Sequence, residues 1–289
     1  MDTASSARTR KSTRDENFPV ASWLIASQYR APILAFYEFV RTADDVADHP
    51  TLQPLEKLRL LDQLEASLLG HNDTEPVALP LRSILRERGL TPKHALDLLD
   101  AFRLDIRKAR YSTWDELIDY CRLSAMPVGR YVLDVHGESE ASWPANDALC
   151  AALQIINHLQ DCGEDFRTLD RVYLPLDAMQ AAGADVADLN AHRSSPGLRR
   201  CLAGLAARTE NFLDPTSSFA GDIRDWRLSL EVSVIHRLAL RLTQLLQHQD
   251  PLSRRVHIGR TSALGITISA LARRMSAHSD RQGAHQVRI

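Results

Sequence analysis

The chain has 289 residues, of which 44% are hydrophobic and 25% charged, and its formal net charge is −2. That composition is typical of a soluble globular protein with one large domain or two small ones, and the weak charge argues against nucleic acid as a partner. The four cysteines form no CxxC pair, the N-terminus has no apolar signal segment, and no stretch approaches the ~20 apolar residues of a membrane-spanning helix. We therefore expect a cytoplasmic protein with reduced thiols.

The predicted secondary structure is helical throughout. Residues 21–29 predict a short helix, and Pro32 suits the first turn of a second helix that carries apolar residues at three- and four-residue steps up to Asp48. Further helices are predicted over 54–69, 77–88, 92–110, 113–136, 145–168, 195–212 and 222–249. No segment alternates with the period of a strand. We expect one all-α domain over residues 16–276, a disordered polar tail over 1–15 and a frayed basic tail over 277–289.

Two acidic clusters are the most informative features of the sequence. The first acidic cluster is Asp44, Asp45 and Asp48, and the second is Asp161, Glu164 and Asp165. Within each cluster the spacing places carboxylates on one helical face, where like charges destabilise the helix. A hard divalent cation relieves such crowding, and Mg²⁺ takes its remaining ligands from water and a substrate phosphate. Together the clusters predict a diphosphate held between two metal-binding helices, whereas either cluster alone also fits a solvated helix face.

Three longer segments resemble the squalene/phytoene synthase family, and the similarity extends from Asn17 to about Gln249. They are EFVRTADDVAD, RYSTWDELIDYCRLSAMPVGR and ALQIINHLQDCGEDFRTLDRVYLP. The segments ENFPVAS (16–22) and SAMPVGR (124–130) are most similar to the hydroxysqualene-forming branch of bacterial hopanoid biosynthesis. Met126 stands where that branch usually has Asn, and DCGED is similar to the motif of the family as a whole.

The resemblance implies an isoprenoid synthase-type helical bundle with a central apolar cavity and the two acidic motifs on facing helices. It implies that Asp44, Asp48, Asp161 and Asp165 hold several Mg²⁺ ions that bridge a diphosphate. Asp45 and Glu164 are either further ligands or hydrogen-bond acceptors behind the ligands. Arg41, Arg171 and Tyr173 match diphosphate-contacting positions of the family, and Tyr120 matches a position near the cation or the diphosphate.

Other residues near these motifs have less specific assignments. Phe36, Tyr37 and Phe39 precede the first cluster and are candidates for the cavity lining, although one or two of them are expected in the ordinary core. Gln154 and Asn157 match polar pocket positions but equally fit hydrogen bonds between helices. His136 and His158 have no metal-ligand spacing, so we assign them structural or surface roles.

The activity implied by the resemblance is conversion of presqualene diphosphate to hydroxysqualene by ionisation, rearrangement and water capture, without NADPH. Two alternatives stay open: an enzyme that condenses two prenyl diphosphates such as farnesyl diphosphate, and a catalytically silent scaffold. Other hopanoid-pathway enzymes are expected as partners. The basic segment 251–289 either packs on the domain or rests on the inner face of an anionic membrane.

Overall fold

The computed structural model describes Ala4 and residues 25–259 and 265–269. Eleven α-helices are found between residues 25 and 259: α1 (Ser27–Ala47), α2 (Pro54–Leu69), α3 (Ala78–Arg88), α4 (Lys93–Arg107), α5 (Trp114–Ser124), α6 (Met126–Val135), α7 (Trp143–Leu169), α8 (Leu176–Ala181), α9 (Pro196–Leu213), α10 (Phe219–Asp222) and α11 (Trp226–His248). These ranges contain no β-strand, only an isolated bridge between Arg110 and Val172. The predicted all-α architecture is confirmed.

The predicted break before Pro32 is wrong, because α1 begins at Ser27 and continues through the proline. A proline inside a helix cannot donate to the carbonyl four residues earlier. Here Arg88 of α3 supplies the missing donor, since its Nη2 lies 2.7 Å from the carbonyl oxygen of Gln28. A tertiary contact therefore satisfies the group that the proline leaves without its helical partner.

The single helix predicted over 113–136 is also wrong, because the structure divides it into α5 and α6. The chain turns at Ala125, whose φ and ψ are −126° and −49°, and Pro127 lies in the first turn of α6. Proline is favoured there because the first amide groups of a helix have no intrahelical acceptor. The division lets α5 and α6 each pack against α7.

The buried side chains form two clusters with the candidate site between them. The larger cluster packs around α5, α7, α9 and α11, and the smaller one joins α1 to α4 with α6. The first acidic cluster ends a helix of the smaller group, whereas the second lies on the long helix α7 of the larger group. Helices α1 and α7 have at most marginal direct contact within the described chain.

Several sequence-based expectations fall on residues that are not described. Apart from Ala4, the tail over 1–15 lies outside the described residues, as do the tail over 277–289, the segment 16–22 and most of 251–289. Those expectations stay predictions. Within the described ranges, no helix is long and apolar enough to cross a membrane.

Candidate active site

One face of α1 carries two carboxylates of the first acidic cluster together with two other predicted site residues. Tyr37, Arg41, Asp44 and Asp48 follow one another at helical steps of four, three and four residues and therefore share a face. Arg41 Nη1 donates to Asp44 Oδ2 at 2.8 Å, and its Nη2 lies 3.2 Å from Asp45 Oδ1. Loss of solvation, followed by the charge of Asp48, raises the pKa of Asp44 to about 7. The helix therefore holds mutually repelling carboxylates that one arginine partly neutralises.

The other aromatic residues of α1 point into the core. Phe36 stacks on Tyr131 of α6 with ring centroids 4.0 Å apart, and both Phe36 and Phe39 are buried in the smaller cluster. Tyr37 is half-buried on the acidic face. Of the three aromatic residues, Tyr37 is the one whose position suits a substrate-lining role.

A compact turn after α7 positions Arg171. Asp170 ends the helix with φ 52° and ψ 34°, and the Arg171 amide donates to the Asp165 carbonyl at 3.2 Å. The next residue, Val172, donates to the Ala109 carbonyl at 2.9 Å and so fixes the segment beside the end of α4. Arg171 Nη1 then lies 2.6 Å from Asp48 Oδ1, which ties the chain that leaves α7 to the end of α1.

Asp105 of α4 is a buried acceptor at the centre of the site, although we did not predict it from the sequence. Its Oδ2 accepts from the Tyr120 hydroxyl at 2.8 Å, and its Oδ1 accepts from the Tyr173 hydroxyl at 3.0 Å. Burial raises the pKa of Asp105 to about 6, opposed by the positive charge of Arg171. The same burial raises the pKa of both phenols, so both remain protonated donors. The three side chains form one hydrogen-bonded unit.

His158 connects this unit to the second acidic cluster. Its ring stacks on Tyr173 at 3.7 Å between centroids with 14° between planes. One ring nitrogen lies 3.1 Å from Gln154 Nε2 and the other 3.9 Å from Asp165 Oδ2. Of the structural and surface roles predicted for His158, the surface role is wrong, because the residue is 8% exposed.

The second acidic cluster occupies the last turns of α7. Partial loss of solvation, followed by the charges of Asp165 and Glu164, raises the pKa of Asp161 to about 6. Gln160 Nε2 donates to the Val256 carbonyl at 2.6 Å, so the chain after α11 passes beside this cluster. Arg255 in that passing segment is a further source of positive charge for Asp161. Asn157, half-buried, precedes Asp161 by one turn.

Lys57 of α2 is a second cation that the sequence did not reveal. Its Nζ donates to the Ala47 carbonyl at 2.7 Å, at the end of α1. Burial, followed by the charge of Arg171, lowers the pKa of Lys57, whereas Asp48 raises it. Lys57 and Arg171 therefore both stand beside Asp48 and supply positive charge at the end of the first cluster.

The described residues contain no group of three or more His, Cys, Asp or Glu side chains close enough to hold a metal ion. The carboxylates of the first cluster form ion pairs with guanidinium groups: Arg41 contacts Asp44 and Asp45, and Arg171 contacts Asp48. These pairs oppose the repulsion between neighbouring carboxylates.

A sequence signal for Asp105 and His158 did exist. Leu98, Phe102 and Asp105 follow one another at steps of four and three residues, so a carboxylate lies in the apolar stripe of α4. His158 likewise continues the buried stripe of α7 after Ile155. A charged or polar residue inside such a stripe is expensive to bury without a partner, which makes it a candidate for a functional role.

Comparison with known proteins shows what the chain resembles. The squalene/phytoene synthase family profile matches residues 11–262. The chain belongs to the squalene/phytoene synthase family. It is 60% identical to a hydroxysqualene synthase of Rhodopseudomonas palustris, with 89% of this chain and 88% of the relative covered. For a hydroxysqualene synthase of Sinorhizobium fredii the identity is 53%, with 94% and 93% covered.

A solved structure within this family supports the same fold. The crystal structure of a squalene synthase of Alicyclobacillus acidocaldarius is 30% identical to this chain and superposes with a TM-score of 0.73. The match covers 82% of this chain and 90% of that protein. The predicted isoprenoid synthase-type helical bundle is thereby confirmed.

Proposed function

We propose that this family member is a Mg²⁺-dependent hydroxysqualene synthase that acts on presqualene diphosphate. The observation that carries the proposal is identity of 50–60% to three hydroxysqualene synthases, each matched over most of its length. The proposal is also supported by Arg171, which contacts Asp48 of the first cluster and follows directly after the helix that carries the second. A catalytically silent scaffold would have no need for these costly like-charge clusters.

The donor set suits Mg²⁺. Aspartate carboxylates are hard oxygen ligands of the kind that Mg²⁺ prefers, and the crowding of charge at both clusters favours a bound cation. Asp44, Asp48, Asp161 and Asp165 would hold the metal, with Asp45 and Glu164 as further acceptors. When bound, Mg²⁺ supplies positive charge that stabilises the leaving diphosphate. Asp45 is the least suited to direct ligation, because it is 4% exposed and paired with Arg41.

The cations of the chain stabilise negative charge where the carbon–oxygen bond breaks. A guanidinium remains charged at any physiological pH and donates to two phosphate oxygens at once. Arg171 is held beside the end of α1 by Asp48, and Lys57 stands next to it. We propose that these groups, together with Arg41, orient the diphosphate and stabilise it as it leaves.

The rest of the proposed reaction needs an environment for a carbocation. Aromatic rings stabilise a cation through their negative faces, and exclusion of bulk water prevents premature capture. The rings of Tyr111, Tyr120, Tyr173 and His158 form a continuous buried layer next to the site, with neighbouring centroids 3.7–6.0 Å apart. Capture of the cation by water gives an alcohol without any reductant, so NADPH is not required.

A second candidate is condensation of two farnesyl diphosphate molecules. It is favoured by the similar solved structure from Alicyclobacillus acidocaldarius, which is described as a squalene synthase. Its substrate would occupy the same diphosphate region. The identity of 60% to a hydroxysqualene synthase makes the first proposal the stronger one.

The two candidates predict different products. Purified full-length protein is incubated with Mg²⁺ and either presqualene diphosphate or farnesyl diphosphate, without NADPH. We expect hydroxysqualene from presqualene diphosphate and no turnover of farnesyl diphosphate. Presqualene diphosphate or a phytoene-type product from farnesyl diphosphate would contradict the proposal.

Asp48→Ala and Asp165→Ala should each abolish turnover, whereas Asp119→Ala on the exposed face of α5 should not.

We also propose that the protein is cytoplasmic and contacts the inner membrane face through its basic C-terminal segment. The described part of that segment carries exposed Arg254 and Arg255, while Val256 is buried in the larger cluster. Basic residues near an anionic membrane each contribute about 1 kcal/mol to binding. Flotation with anionic vesicles should recover the full-length protein but not a variant with both arginines replaced by Ser. Absence of the full-length protein from the vesicle fraction would contradict the proposal.

A further inference from the structure

Asp105 accepts hydrogen bonds from two phenols at once. Each oxygen of its carboxylate accepts from one phenol: Tyr120 at 2.8 Å and Tyr173 at 3.0 Å. The three side chains are 8%, 4% and 7% exposed, so bulk water does not compete for these hydrogen bonds. A buried carboxylate is costly unless it is well paired, and this one is paired with neutral donors.

This arrangement determines what the phenol oxygens can offer to a ligand. A tyrosine hydroxyl has one hydrogen and two lone pairs. With both hydrogens directed to Asp105, Tyr120 and Tyr173 present only lone pairs to other partners. Lone pairs do not bind an anionic diphosphate, but they accept a proton from water. Tyr173 therefore does not suit the diphosphate-contacting role that the family resemblance implies for it, whereas Arg171 does.

We propose that Asp105 receives a proton from the water molecule that captures the carbocation, and that the proton passes through the hydroxyl of Tyr120 or Tyr173. This inference rests on the proposed hydroxysqualene-forming activity and deepens it. Asp105 acts through the two phenols and orients them, so it is a positioning residue with respect to the substrate.

The step balances without a co-reactant. A lone pair of water forms the new carbon–oxygen bond and leaves a protonated alcohol. One proton moves from that oxygen to the tyrosine oxygen, while the tyrosine hydroxyl proton moves to Asp105. The products are a neutral alcohol, a neutral tyrosine and a neutral Asp105 carboxyl group. Asp105 then returns its proton to solvent before the next turnover.

Two further observations support Asp105 over other bases in the site. Its pKa, raised to about 6 by burial, makes it a better proton acceptor than an ordinary aspartate. The ring nitrogens of His158 face Gln154 and Asp165, away from the phenol hydroxyls. The carboxylates of the two acidic clusters are assigned to the diphosphate and its metal.

The test separates ionisation from water capture. Full-length Asp105→Asn protein is incubated with presqualene diphosphate and Mg²⁺, and two quantities are measured: the rate of diphosphate release, and the fraction of consumed substrate recovered as hydroxysqualene. General-base catalysis contributes about a hundredfold or more. We expect diphosphate release within about fivefold of wild type and a hydroxysqualene fraction reduced about tenfold in favour of other cation-derived products.

Three variants complete the experiment. Tyr120→Phe and Tyr173→Phe test the relay even if Asp105→Asn folds poorly, and at least one of them should lower the hydroxysqualene fraction. Tyr131→Phe is the matched control, because its buried hydroxyl bonds the Pro32 carbonyl at 3.1 Å in the other core cluster. It should leave both quantities unchanged.

The outcomes distinguish this inference from the proposed function. An unchanged hydroxysqualene fraction in Asp105→Asn and in both tyrosine variants would overturn the proton route. A parallel fall of release and product, with the fraction constant, would also overturn it and indicate a structural role. Wild-type protein that makes no hydroxysqualene from presqualene diphosphate would instead refute the proposed function itself.

Discussion

Arg171 and Asp48 are 123 residues apart in the sequence, yet Arg171 Nη1 lies 2.6 Å from Asp48 Oδ1. The pair joins the turn after α7 to the end of α1. Arg171 is 8% exposed, and it also opposes the rise in the pKa of Asp105. This one guanidinium links the carboxylate at the end of α1 to the phenol unit.

Replacing Arg171 by Lys should impair catalysis despite conserving the charge. A lysine ammonium cannot reproduce the planar fork that serves Asp48 and a phosphate oxygen together. We expect kcat/KM for presqualene diphosphate to fall about a hundredfold, the effect of losing one donor to a developing oxyanion. Arg122→Lys, at an exposed pair with Asp119, is the control and should stay within about twofold of wild type. Equal activities of the two variants would refute the assigned role of Arg171.

Asp161→Asn should raise stability while it removes activity. The pKa of Asp161 in the folded protein is about 6, above its ordinary value of 3.8, so folding favours the protonated form. The stability from this group is full below the ordinary value and is lost as the pH rises through about 6. At pH 7.5 the variant should therefore melt slightly above wild type, by about 2 °C at most because water screens this exposed side chain, and the difference should vanish near pH 4. Asp119→Asn, at an exposed site, should show no such pH dependence. A lower Tm for Asp161→Asn at pH 7.5 would contradict the repulsion within the second cluster.

Gly129→Ala should destabilise the packing of α6 on α7. A Cβ at this position would lie 2.1 Å from Asn146 Oδ1 and 2.6 Å from Cys150 Sγ, so these side chains of α7, or the helix itself, would have to shift. Such overpacking costs about 1–3 kcal/mol, which thermal unfolding would report as a Tm lower by several degrees. Gly204→Ala in α9 meets nothing within 4 Å and should stabilise the helix by about 0.5–1 kcal/mol. A Tm for Gly129→Ala at or above wild type would show that the two helices are not in close contact.

Mg²⁺ and inorganic diphosphate should stabilise the protein together more than either does alone. Each cluster repels the diphosphate unless Mg²⁺ neutralises it, so the two ligands bind cooperatively. At a hundredfold excess over Kd, ligand binding adds about 2.7 kcal/mol and should raise Tm by about 5 °C or more. Asp48→Ala and Asp165→Ala should each lose this combined shift, whereas Asp119→Ala should retain it. An undiminished shift in both cluster variants would place the metal elsewhere.

Local sequence patterns predicted the acidic part of the site because its residues repeat along single helices. Asp44 and Asp48 are one turn apart, as are Asp161 and Asp165, so a helical spacing reveals each set. The helix boundaries were less predictable. Pro32 lies inside α1, where Arg88 of another helix donates to the Gln28 carbonyl, a contact that no local pattern encodes.

The isolated residues of the site required the tertiary structure. Asp105 is the one buried carboxylate of α4, and its role follows from two phenols that come from α5 and from the turn after α7. For His158 the sequence leaves structural and surface roles open, because a histidine without metal-ligand spacing gives no local sign that its ring stacks on Tyr173. Lys57 lies one helix beyond the first cluster, and only the chain reversal between α1 and α2 places it beside Asp48.

The most direct test of the central claim follows the oxygen of the product. Wild-type protein is incubated with Mg²⁺ and presqualene diphosphate in ¹⁸O-labelled water, and the hydroxysqualene is examined by mass spectrometry. Ionisation followed by water capture predicts one ¹⁸O atom in nearly every product molecule. Hydroxysqualene that retains ¹⁶O from the diphosphate, or no hydroxysqualene at all, would contradict the account.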